Sequence, residues 1–242
     1  MAVTEERASE QTEPQFSEEE LLSYLYPKSF TCIVCDKEFT DFIVRKSKLK
    51  VEDMDTDYMT KYKVINPYHY DIVFCSHCGY ASLSSFFDKI TMRQQQMVRE
   101  QISVNYKPTE FHMPLSIESV MKRYGQALLC ARAIDAKDSQ KAFLNLRLSW
   151  VLRTAKRKDI ELKFLREAYE GLKKAFTTER FPLGGMDEPT AKYMIADMAR
   201  RLGEMAEAMR WIGDVVVARG IQGALKDRAS LLKDMIRDGI TT

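Results

Sequence analysis

Two Cys-x-x-Cys pairs, Cys32-Ile33-Val34-Cys35 and Cys75-Ser76-His77-Cys78, stand 39 residues apart in a chain of 242 residues that has five cysteines. Two residues between sulfurs allow a tight turn to aim both thiolates at one ion. Four thiolates at about 2.3 Å complete the tetrahedral shell that zinc prefers. Gly79 directly after Cys78 suits such a turn, because glycine tolerates positive φ. Asp36 holds the equivalent place after Cys35 and is among the better non-glycine residues there. Each pair lies beside a strand-like run, so the pattern predicts a zinc ribbon: two hairpin knuckles clamping one metal through Cys32, Cys35, Cys75 and Cys78. Four protein ligands leave no position for a reactive water, so the ion is expected to be structural. A redox dithiol would need one pair opening a helix, and unrelated buried cysteines are the third reading. His69 or His77 could replace a sulfur, though packing or surface roles suit both better. Cys130 sits in the helical run Ala127-Leu128-Leu129-Cys130-Ala131 and reads as a small buried apolar residue.

No apolar run reaches the roughly 18–20 residues of a membrane span. The acidic, polar start, Met1-Ala2-Val3-Thr4-Glu5-Glu6-Arg7, does not read as a secretory signal. A cytoplasmic setting is therefore expected, where paired cysteines point to metal or redox chemistry. The net charge of +2 hides an asymmetry: residues 1–20 hold seven acids and one base, whereas residues 117–242 hold 24 bases and 17 acids. The basic half favours an acidic partner surface, although spread charge of this kind also suits a solvated face.

In chain order, residues 1–15 lack periodicity and are expected to be a disordered acidic tail. Ser17-Glu18-Glu19-Glu20 has the capping-box spacing and starts a short helix that Pro27 is expected to end after Tyr26. Phe39 to Val44 and Tyr68 to Phe74 read as strands, with a turn at Asn66-Pro67. Helical periodicity begins near Ser84 and runs to about Tyr106. Pro108 and Pro114 bracket a linker. Further helices are expected at 117–135, 139–156, 159–178, 188–202, 205–219 and 223–238. The organisation expected is a zinc-ribbon-like domain at 16–115 with flanking helices, then an α-helical domain at 116–242.

Asp53, Asp55 and Asp57 resemble the start of a calcium loop, but Tyr58 stands where the loop needs glycine and no closing glutamate follows. The segment reads instead as a solvated insertion between the knuckles. Arg45, Lys46, Lys48 and Lys50, flanked by aromatic residues, are candidate contacts for nucleic-acid phosphates. The chain has no Gly-x-Ser-x-Gly, His-Glu-x-x-His or phosphate-loop motif. A weaker enzymatic reading places Asp55, Asp57, His69 and Asp71 in a cleft between the domains.

Tyr193, Ala196, Leu202-Gly203, Met205, Ala208 and Trp211-Ile212 resemble part of a tetratricopeptide repeat, and a spacing near 34 residues recurs loosely upstream. Stacked helix pairs of that kind leave a face suited to gripping a peptide or a partner's helix; a plain helical bundle has the same periodicity. Tyr26-Pro27, the two cysteine pairs, Arg45-Lys46-Ser47-Lys48-Leu49, Asp55-Thr56-Asp57, Asn66-Pro67-Tyr68 and Phe181-Pro182-Leu183-Gly184-Gly185-Met186-Asp187-Glu188 together resemble a bacterial family of unknown function, DUF family 2225, over roughly residues 26–238. The resemblance implies a zinc-ribbon-like region followed by tetratricopeptide-like helices in a cytoplasmic bacterial protein. Asp36 replaces the glycine usual in that family. The function expected is a non-enzymatic, zinc-binding adaptor or scaffold that meets a protein partner through the helices, with nucleic-acid binding as the alternative.

Overall fold

The structure is a computed structural model that describes residues 16–218, 220, 221 and 223–241. The tail expected at residues 1–15 lies outside the described residues. The fold is mainly α with a small β region at the amino-terminal end.

Helix α1 (Glu18–Ser23) starts at Ser17, whose hydroxyl accepts from the Glu20 N–H at 3.1 Å. It ends three residues earlier than expected, because strand β1 (Leu25–Thr31) takes Pro27 as a strand residue opposite Phe42. A two-stranded hairpin leaves an outer edge where a residue without an N–H is tolerated. Strand β2 (Glu38–Val44) returns antiparallel to β1, and the turn between them carries Cys32 and Cys35. Strands β3 (Val51–Met54) and β4 (Thr60–Tyr62) form a second hairpin with Asp55–Tyr58 at its tip. Strands β5 (Ile72–Phe74) and β6 (Ala81–Leu83) form a third, whose turn carries Cys75 and Cys78. The strand expected over 68–74 is therefore shorter. Pro67–Tyr70 is a turn of 3-10 helix, held by the Asn66 side chain accepting from the Tyr68 N–H at 3.0 Å.

Helix α2 (Met92–Gln101) opens with a capping box between Thr91 and Gln94. It starts eight residues after Ser84, where the periodicity first becomes helical, because Ser84–Ile90 forms turns that bury Phe87 beneath Tyr80. Then come α3 (Ile117–Ala133), α4 (Asp138–Thr154), α5 (Lys158–Thr178), α6 (Glu188–Arg201), α7 (Met205–Val217) and α8 (Ala224–Arg237). These ends agree with the expected ones to within two residues. Each helix packs on the next. Connections of three residues, 155–157 and 202–204, make their neighbours antiparallel. Lys156 and Gly203 supply the positive φ that ends α4 and α6.

One continuous core runs from Leu25 in β1 to Ile236 in α8. Helix α3 ties the hairpins to the helices with polar contacts. The buried Arg123 guanidinium donates to Asp41 of β2 and to the Ile72 carbonyl of β5. Asp41 also accepts from the Phe74 N–H at 3.1 Å, so its carboxylate links both knuckle hairpins to α3. Burial of such a charge requires this pairing.

Candidate metal centre and the acidic hairpin

The first and third hairpins bring their turns together. One ligand atom from each of Cys32, Cys35, Cys75 and Cys78 lies within 4.8 Å of all the others, and among the described residues this is the group of side chains that could hold a metal ion. Cys32 and Cys78 sulfurs are 3.6 Å apart, and Cys35 and Cys75 sulfurs 3.8 Å. Both turns have the same construction. The Asp36 N–H donates to the Cys32 carbonyl and the Gly79 N–H to the Cys75 carbonyl, while Asp36 and Gly79 adopt φ of 58° and 73°. Asp36 thus takes the conformation of its glycine counterpart. A side chain at Gly79 would be excluded twice, since a Cβ there would lie 2.3 Å from the Tyr106 ring.

The sulfurs depend electrostatically on one another. Hydrogen bonds from Cys32 and Cys78 hold the Cys75 thiol down to about 2. Donating toward Cys75 pushes Cys32 up to about 12, and bonds with Cys32 and Cys75 push Cys78 up as well. One thiolate thus suppresses ionisation of its neighbours, and a cation at the centre would instead hold all four as thiolates. His77 lies outside the cage, with its Nε2 3.0 Å from the Glu38 carbonyl. Cys130 is a neighbour rather than a member: its thiol meets the Gly79 carbonyl at 3.6 Å, and burial pushes it up to about 11.

The Asp53–Asp57 segment is not the solvated insertion expected from sequence. Asp53 is exposed, but Asp57 is fully buried, because the tip of the β3–β4 hairpin enters the helices. Arg153 of α4 pairs with Asp55 at 3.0 Å, Asp57 at 2.8 Å and Glu161 at 2.7 Å. Trp150 Nε1 donates to Asp57 at 2.8 Å. Arg201 of α6 pairs with Asp55 at 2.7 Å and Asp197 at 2.9 Å. Thr56 sits among Asp197, Arg200 and Arg201, and Tyr193 donates to its carbonyl at 2.8 Å. Arg228 of α8 donates to the Asp55 carbonyl at 3.3 Å. Helices α4, α6 and α8 therefore each turn one side to this tip. Burial opposes ionisation of Asp55, but Arg201, the Thr56 N–H and Arg153 outweigh it and hold the carboxyl down to about 2.

The other two residues of the enzymatic reading lie elsewhere. His69 is half-buried in the Pro67–Tyr70 turn, its Nε2 enclosed with no partner among the described residues, and loss of solvent pushes it down to about 4. Asp71 faces Arg147 at 3.7 Å. Asp55, Asp57, His69 and Asp71 are thus not one constellation, and the first two are held by guanidinium groups. Arg45, Lys46, Lys48 and Lys50 are exposed in the connection between the first and second hairpins. Arg45 lies over the Tyr26 ring and Lys48 over the Tyr24 ring, at 5.0 and 5.5 Å from the centroids.

A small β region with two cysteine knuckles, joined to a stack of helices that receives an acidic hairpin, defines a protein of mixed architecture with four cysteines placed to hold a metal ion. The chain belongs to the family described as "Uncharacterized protein conserved in bacteria (DUF2225)", which it matches over residues 25–240. No curated protein and no solved structure matches it. No helix among the described residues is long and apolar enough to cross a membrane.

Proposed function

We propose that the protein is a non-enzymatic adaptor or scaffold with a structural zinc ion. The observation that carries this reading is the cage itself. A regular tetrahedron with ligands at about 2.3 Å has edges of about 3.8 Å. The two short sulfur pairs, at 3.6 and 3.8 Å, are such edges. Four sulfurs close the shell of the ion and leave no site for an activated water. The reducing cytoplasm would keep these thiols available to metal. Purified, reduced protein is expected to hold close to one zinc per chain; less than half that amount overturns the zinc assignment.

The partner in this reading is a protein with an acidic and apolar surface. Its seat is the open end of the tetratricopeptide-like stack, where Val217, Leu231 and Ile240 are 76%, 58% and 42% exposed. The excess of bases in residues 117–242 suits an acidic partner. The test is affinity capture from the native host at high salt with nuclease added. A partner retained by the wild-type chain and lost with Leu231→Glu supports the adaptor. No retained partner, or one indifferent to Leu231→Glu and Val217→Glu, overturns it.

A second reading, nucleic-acid binding through Arg45, Lys46, Lys48 and Lys50, is favoured by the aromatic rings beneath Arg45 and Lys48. Rings interleaved with cations are the means by which single strands are held. It predicts that the logarithm of affinity falls with the logarithm of salt at a slope of about −0.7 per phosphate neutralised.

A further inference from the structure

Between the first hairpin, the Pro67–Tyr70 turn and α4 lies a cleft of about 730 Å³. That is within the roughly 300–1,000 Å³ of small-molecule sites. Its lining includes aliphatic residues, rings and charges. Tyr26 and Phe30 of β1, Tyr62 of β4, and Tyr68 and Tyr70 of the turn contribute rings. Lys28, Lys46 and Arg147 contribute three cations, beside a single carboxylate, Asp71.

Arg147 and Lys28 are held against rings, and one carboxylate faces the three cations. The Arg147 guanidinium stacks 4.8 Å from the Tyr68 centroid and 4.7 Å from that of Trp150. It stands 3.7 Å from Asp71, beyond hydrogen-bond reach. Among the described residues it donates no hydrogen bond, so its planar fork of five N–H groups is positioned with its donors free. Lys28 lies 4.9 Å over the Phe30 ring, and neither it nor Lys46 forms an ion pair among the described residues. Lys46 and Arg147 both act on Asp71, whose half-buried carboxyl can accept a hydrogen bond within the cleft.

We propose that this cleft binds a nucleotide, either free or as one unit of a single strand. The planar base lies against the tyrosine and phenylalanine rings. The phosphate takes the bidentate fork of Arg147, with Lys28 and Lys46 completing its charge. Asp71 accepts from a base amino group or a ribose hydroxyl. The rings select against bare phosphate, and the three cations select against an uncharged nucleoside. In its strand form the site rests on the nucleic-acid reading above; in its free form it does not.

The test uses full-length, zinc-loaded protein with two probes, ATP by calorimetry and a fluorescein-labelled oligouridylate by anisotropy. Binding of either probe is expected, weakened about tenfold or more by Arg147→Ala and by Tyr26→Ala, and partly restored by Arg147→Lys. Thermal unfolding of each variant separates a lost site from a lost fold, and Lys46→Glu gives a variant at an exposed position. ATP binding lost in Arg147→Ala, with no strand bound, supports the cleft and removes the nucleic-acid reading. Strand binding that needs Lys50 but is indifferent to Arg147→Ala and Lys46→Glu keeps that reading and overturns the cleft. Binding of neither probe, or tripolyphosphate competing as well as ATP, also overturns it.

Discussion

The cysteine cage joins two turns 39 residues apart, whereas the Asp55–Asp57 tip is fastened to residues between 93 and 173 positions further along. Both cross-link a small β element to something it could not hold by apolar contact alone. Their physics differs. The cage gathers four groups that repel one another once ionised, so its strength would come from a cation that must be supplied. The hairpin seat carries its own counter-charges: Arg153, Arg201 and Arg228 meet Asp55, Asp57 and the backbone of the tip. A buried ion pair adds little net stability when complete, because desolvation offsets attraction, but removing one partner strands the other. The first fastener, with zinc as proposed, would fail by losing its ion, the second by losing one side chain.

Metal loss should give the largest effect. Structural zinc contributes about 10–16 kcal/mol of apparent binding free energy in small peptides. Cys75→Ser is expected to release the metal and loosen the hairpins of residues 25–83, with far-UV helix signal largely kept, since all four sulfurs lie in hairpin turns rather than in helices. Metal content and hydrogen exchange check this; wild-type behaviour in both would refute the structural role. Arg201→Ala comes next. It leaves Asp55, Asp57 and Asp197 short of a cation at an almost buried site, and a loss of about 3–5 kcal/mol is expected in urea unfolding. The exposed Arg157–Glu118 pair provides the contrast, since Arg157→Ala should cost less than about 1 kcal/mol. Equal losses in the two variants would erase the distinction.

The smallest effect separates the two regions from His69. Its neutral form is favoured by burial, so the folded pKa of about 4 lies below the ordinary value of 6.5. The unfolded chain therefore binds the proton first, and stability present above pH 6.5 falls as pH drops toward about 4. Asp55 behaves likewise in a lower window, from its ordinary 3.8 down to about 2. His69→Gln should flatten the upper window and leave the lower slope intact. An unchanged upper slope would assign it to other groups.

The cage was legible because its information is local: two short spacings, a glycine, and an aspartate that tolerates positive φ. The ends of α3 to α8 were legible for the same reason, since caps and periodicity act within one or two turns. The hairpin seat was not. Asp197, Arg200 and Arg201 have the spacing of ordinary surface pairs on a helix, and nothing nearby in sequence shows that Thr56 will sit among them. Likewise Tyr68-His69-Tyr70-Asp71 has strand composition, yet Asn66 and Pro67 cap it into a turn that places Tyr68 beneath Arg147. Sequence reasoning found Lys46 after the first hairpin and missed Lys28 and Arg147; the role of Arg147 depends on a ring from a different element.

The reach of the hairpin tip also sets an order of assembly. On a ribosome, Asp55 emerges long before Arg228, which follows it by 173 residues. The cysteine turns can close while the nascent chain is short, but the tip has no complete seat until α8 is made. A chain stopped after residue 218 should therefore be cut by trypsin at Lys61 and Lys63 faster than the full-length chain, and equal rates would show that α4 and α6 alone secure the tip. The last helix thus acts on the first third of the chain, as the piece whose arrival closes the molecule.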